Sequence, residues 1–155
     1  MQTMQNGFQV GNGGESLANV VTTELEVRWG ECDAAGIVYH PVYIDWFSVA
    51  RIQLFRSYGM SYMKDFHDHG IVLAVLDAHC HYRKTLRVED RVKVEVHVRE
   101  LTRARMSLDY RVYNQDTVLC AQGATEHVFL DEANRPVNLA KRRPDLWDLL
   151  CRAIQ

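Results

Sequence analysis

Near the start of the chain Leu25, Val27 and Trp29 alternate with Glu24, Glu26 and Arg28, a two-residue period that predicts a strand over 23–29 buried on one face. Residues 30–36 have a loop composition. From 41 to 58 the pattern becomes helical: Pro41 suits a first turn, no glycine interrupts the stretch, and Gly59 can close it in a left-handed conformation. Its apolar positions, among them Tyr43, Trp46, Phe47, Val49, Ala50, Ile52 and Phe55, cover most of the circumference. A helix this apolar is expected to be largely enclosed by other structure. A shorter helix is predicted over 61–69, ended by Gly70.

The remaining pattern is mostly strand. The stretch 71–83 is apolar and then mixed. After a turn near 87–90, Val92, Val94, Val96 and Val98 alternate with charged residues, and Met106, Leu108, Tyr110 and Val112 repeat the alternation. Asn114, Gln115 and Asp116 make a hairpin turn into a long strand over 118–130, in which Gly123 predicts a bulge or bend. A helix over 144–154 ends the chain. Hairpin succession implies an antiparallel sheet, and one helix apolar nearly all round demands a sheet curved enough to wrap it. The expected class is α+β, with about five strands around one long central helix.

Composition narrows the function. A chain of 155 residues that is 47% hydrophobic and 25% charged fits one domain, expected over 21–155, while the glycine-rich, polar residues 1–20 read as a flexible tail. A net charge of −2 gives no general reason to bind nucleic acid, so an anionic ligand must be held by local basic clusters. No apolar run is long enough for a membrane span and the N-terminus lacks a secretory pattern, so a cytoplasmic protein is expected. Four separated cysteines, at 32, 80, 120 and 151, form no Cys-x-x-Cys pair and read as reduced thiols. His67 with His69, and His79 with His81, lack a third spaced ligand and read as solvated histidines. The glycines near 30–36 match no phosphate loop.

The chemically informative stretch joins the first strand to the central helix: Asp33-Ala34-Ala35-Gly36-Ile37-Val38-Tyr39-His40-Pro41. It sets a carboxylate a few residues before a helix start, where unpaired backbone N–H groups carry partial positive charge and can bind an oxyanion. Asp33 is a candidate nucleophile or base, and the amides near Tyr39 and His40 are candidate donors. Pro41 has no N–H, so the donor must be a neighbour. Gly36 lets the loop turn back.

This run, followed by Tyr43 and by Phe47-Ser48-Val49-Ala50-Arg51, resembles the hot-dog-fold acyl-CoA thioesterases of the 4-hydroxybenzoyl-CoA thioesterase type. The resemblance covers about 23–135 and takes in Tyr82-Arg83-Lys84, Glu89-Asp90 and Arg105-Met106-Ser107-Leu108. It implies that Asp33 is catalytic, that the backbone N–H of His40 polarises the thioester carbonyl, and that no cofactor is needed. It implies homodimers, often paired into tetramers, with active sites between subunits. Members often carry a glutamate near Ser48-Val49, which this chain lacks. Tyr39 and Tyr43 either line the acyl pocket or pack in the core. Arg83, Lys84, Arg103 and Arg105, with Lys141-Arg142-Arg143, are candidate clamps for the CoA phosphates, and Arg105 best matches a family position for that role. Two other functions compete: a non-catalytic acyl-CoA binding module, and a hot-dog dehydratase or hydratase, poorly supported because Asp45 is the one acidic residue between Pro41 and Tyr58.

Overall fold

A computed structural model of the chain describes residues 19–155, so most of the expected N-terminal tail lies outside the described residues. Five strands, β1 (Val21–Glu26), β2 (Val72–Tyr82), β3 (Arg91–Leu101), β4 (Arg105–Tyr113) and β5 (Leu119–Leu130), form one antiparallel sheet in the order β1-β3-β4-β5-β2. The helix α1 (Val42–Ser57) lies against the concave face, and Gly59 ends it at φ 77°. Val92, Val94, Val96 and Val98 of β3 and Met106, Leu108, Tyr110 and Val112 of β4 are buried beneath it with Trp46, Phe47, Ala50 and Leu54. Two further helices, α2 (Leu139–Arg142) and α3 (Pro144–Ile154), add Leu139, Leu146 and Leu150 to the core, with α3 against β3. Among the described residues no helix is long and apolar enough to cross a membrane.

Four sequence expectations change. The strand predicted to reach Trp29 stops at Glu26, and Trp29 sits in a 3₁₀ turn (Trp29–Glu31) with 81% of its surface exposed, because Glu31 accepts the Arg28 backbone N–H at 2.8 Å and tightens the chain there. The short helix over 61–69 is a π turn (Tyr62–Phe66) followed by a 3₁₀ turn (His67–His69), which aims Phe66 into the core. Gly123 is no bulge. Pairing runs through it on both sides, and a Cβ there would lie 2.2 Å from the His79 carbonyl oxygen and 2.7 Å from the Phe47 ring. Last, α1 is enclosed on its sheet side only: Val49 is exposed, and with Ser48, Ile52, Gln53 and Arg56 it lines a shallow groove of about 360 Å³ on the outer face.

Candidate active site

The loop between β1 and α1 is a miniature hairpin. Cys32 pairs with Val38 as an isolated bridge, the Asp33 N–H donates to the Ile37 carbonyl at 3.0 Å, and the Tyr39 N–H donates to the Glu31 carbonyl at 2.8 Å. Gly36 turns its tip at φ 76°, a conformation other residues adopt only with strain. The Asp33 carboxylate is exposed, and one oxygen accepts the Ala35 N–H at 2.9 Å. This leaves the other oxygen unpaired among the described residues.

The start of α1 is fixed from two directions. Trp46 Nε1 donates to Glu31 Oε1 at 3.1 Å, tying the helix's first turn to the hairpin, and the Tyr82 hydroxyl at the end of β2 donates to the His40 carbonyl at 2.7 Å. The Tyr82 ring packs edge-on against Tyr43, 4.9 Å between centroids. Burial pushes the Glu31 carboxyl up, but hydrogen bonds from the Arg28 backbone, the Trp46 indole and the Arg28 side chain outweigh it and leave the group below its ordinary value of 4.5. With Val42 N–H bonded to Tyr39 and Pro41 lacking a proton, the His40 N–H is left without an acceptor among the described residues. It sits just before the first turn, where the helix dipole adds positive potential. Sequence reasoning missed Glu31 and Tyr82 as anchors. The acid three residues after Arg28 was a legible signal; the Tyr82 contact, far along the chain, was not.

The other candidates separate. Tyr43 is a core residue, only 3% exposed, and burial pushes its hydroxyl far above the ordinary tyrosine range, whereas Tyr39 stands half exposed beside the His40 ring. Arg83 and Lys84 leave the end of β2 next to His40, their N–H groups bonded to the Cys120 carbonyl. Arg103 in the β3–β4 turn and Arg105 at the start of β4 lie at the opposite end of the sheet: Arg105 pairs with Val128, while Val112 and Tyr82 both pair with Ala121. Seven strand positions separate them, roughly 23 Å. Of the C-terminal run, Arg142 at the end of α2 donates to the His69 carbonyl of the 3₁₀ turn, and Arg143 at the start of α3 donates to the Asp65 carbonyl of the π turn at 2.7 Å and pairs with Asp145. All four cysteines are free. Burial raises the Cys80 thiol to about 11, which keeps it protonated and a poor competing nucleophile.

Known proteins share this architecture. Residues 27–150 match the family model described as the thioesterase-like superfamily. The 1,4-dihydroxy-2-naphthoyl-CoA hydrolase of Synechococcus elongatus is 28% identical over 123 residues, 78% of this chain and 89% of its own length. A chloroplastic acyl-acyl carrier protein thioesterase of Arabidopsis thaliana is 28% identical over 130 residues, 82% of this chain and 67% of its own. Among solved structures, a DHNA-CoA thioesterase from Staphylococcus aureus superposes with a TM-score of 0.82 at 31% identity, covering 86% of this chain and 89% of that one. A match over most of the chain, carried on a sheet wrapped around one helix, makes this protein a member of the thioesterase-like superfamily with the hot-dog fold.

Proposed function

We propose that this single domain, 21–155, is an acyl-CoA thioesterase of the 4-hydroxybenzoyl-CoA thioesterase type, releasing a free acid and CoA from an aryl or short-to-medium acyl thioester. The unsatisfied His40 N–H at the start of α1, on the same hairpin loop as the Asp33 carboxylate, carries this reading. In it the N–H holds the carbonyl oxygen and strengthens its bond as negative charge develops, an effect worth roughly 3 to 4 kcal/mol for one donor. Asp33 then attacks the carbonyl carbon to give a mixed anhydride that water cleaves, or takes a proton from the attacking water. CoA leaves as the thiolate on either route. Hydrolysis by relatives named as CoA and acyl-carrier-protein thioesterases supports the reaction class.

The reading includes a dimer. β2 is a sheet edge, and Val72, Val75, Leu76 and Tyr82 on it are exposed in the single chain, an apolar edge that soluble proteins rarely leave open. Antiparallel pairing of two such edges turns the second copy end for end. Its Arg103 and Arg105 then approach the end of the sheet that carries His40, Arg83 and Lys84, which one chain alone cannot arrange. The test is thiol release from a panel of aryl, short, medium and carrier-linked acyl thioesters, for the native chain and Asp33→Ala. Equal rates in the two end the proposal, and binding without turnover across the panel makes the chain a binding module instead.

A further inference from the structure

Arg51, on α1 two turns beyond Tyr43, is half buried, and its guanidinium pairs with no carboxylate among the described residues. Its contacts are the Ser48 hydroxyl at 3.3 Å and the Tyr110 hydroxyl at 3.4 Å. Behind it lies a buried polar chain: Tyr110 to Thr125 at 2.9 Å, and Thr125 to His127 Nε2 at 2.7 Å, with all three side chains almost fully enclosed. None of these groups carries a negative charge, and burial together with Arg51 holds the His127 imidazole neutral, down at about 4. A cation brought this far out of water without a partner is costly.

The surroundings lead from this cation to the proposed reaction centre. Ala78 pairs with Thr125 and Val75 with His127, so these β2 residues share the face that meets α1, as do Cys80 and Tyr82 further along. Val75, Ala78 and Tyr82 are exposed in the single chain while their β5 partners are buried, which leaves a strip open between α1 and β2 that in the proposed dimer runs beside the join between copies. One end of the strip is Tyr82, bonded to His40; the other is Arg51. The Arg51 side chain reaches back to Ser48, so its charge stands roughly 9 Å along the helix axis from the first turn.

We propose that Arg51 is the acyl-terminus subsite of this enzyme, and that the substrate's acyl group ends in a carboxylate: the monothioester of a dicarboxylic acid of about six to eight carbons in all, lying along the α1–β2 strip. This rests on the thioesterase reading, with the carbonyl at His40. Ser48 is a neutral neighbour, so the guanidinium is left free to take an anion from the ligand.

The test compares adipyl-CoA and suberyl-CoA with hexanoyl-CoA and octanoyl-CoA, measuring kcat/KM for the native chain, Arg51→Gln and Arg51→Lys. The native chain is expected to favour the carboxylate member of each pair by about tenfold or more. Arg51→Gln is expected to abolish that preference and Arg51→Lys to restore part of it. A native ratio at or below one overturns the subsite even where no Arg51 variant folds. So does an Arg51→Gln ratio equal to the native one, or an Arg51→Gln change confined to assembly mass in sedimentation, which assigns the cation to a contact between copies. Turnover of neutral esters with no carboxylate preference leaves the thioesterase standing and removes the subsite; no turnover of any ester removes both.

Discussion

Gly123 and Phe47 show how one residue's identity is fixed by another far away in the chain. The Phe47 ring stacks on Tyr110 at 4.3 Å and fills the space a side chain at 123 would need, and the His79 carbonyl blocks the other approach. Both neighbours are pinned in paired elements, so Gly123→Ala is expected to cost about 2 to 3 kcal/mol in urea unfolding; a loss below about 0.5 kcal/mol would show that the packing yields. A glycine within a strand was legible, but its reason was not, since sequence spacing carries no information on which helix residue lands over it. His127 was equally opaque, being one polar residue in a run that alternates poorly. Its imidazole is neutral when folded and ordinary when unfolded, so the unfolded chain binds the extra proton and stability falls as pH drops from about 6.5 towards 4. Over that window the native chain is expected to lose on the order of 3 kcal/mol more than His127→Gln. Parallel stability curves for the two would refute this. At the proposed reaction centre, His40→Ala keeps the backbone donor and is expected to retain activity within a few fold, whereas Asp33→Asn is expected to lose on the order of a hundredfold or more in kcat. A collapse of both to the same level would move the role of His40 from its backbone to its ring.

At the level of elements, the loop 28–41 was the most legible part of the molecule in composition and the least legible in conformation. The helix from Val42 to Ser57 and its Gly59 stop follow from propensity and periodicity, as do the paired valine and Met106–Val112 strands. Trp29 broke the pattern because a capping hydrogen bond outcompeted strand continuation, leaving an indole in solvent. The same acid, Glu31, also receives the Trp46 indole, so one carboxylate sets where the hairpin stands relative to α1. Its depressed titration means a contribution to stability that is complete above about pH 4.5 and fades as the pH falls through the folded value. Glu31→Gln is expected to reduce that acid sensitivity and to lower kcat several fold through a loosened hairpin, with a small change in KM, read by steady-state kinetics and by thermal melts at pH 7 and pH 4. Unchanged kcat with lowered stability would limit Glu31 to holding the fold.

On the scale of the whole molecule, the sheet order leaves β2 as an edge although it follows α1 directly, an arrangement that local pattern cannot reveal because a strand's partners are set by long-range pairing. Its apolar exposure explains why the 71–83 stretch read as strand without a clean alternation: in the single chain apolar and polar positions alike stand exposed along it. Under the proposed dimer, Val75→Lys and Leu76→Lys together are expected to halve the sedimenting mass and to lower turnover on CoA esters at least tenfold, while the far-ultraviolet spectrum stays native. A variant that remains associated, or a monomer of full activity, would detach the free edge from function. The Tyr82 hydroxyl closes the loop between these scales, since it rises from that edge strand to grip the peptide that begins α1. Whatever covers the edge also steadies the residue that holds the proposed oxyanion donor in place. Under the proposed dimer, turnover per molecule is therefore expected to decline as the protein is diluted towards the dimer's dissociation constant, and a plot of velocity against enzyme concentration to curve upward from the origin.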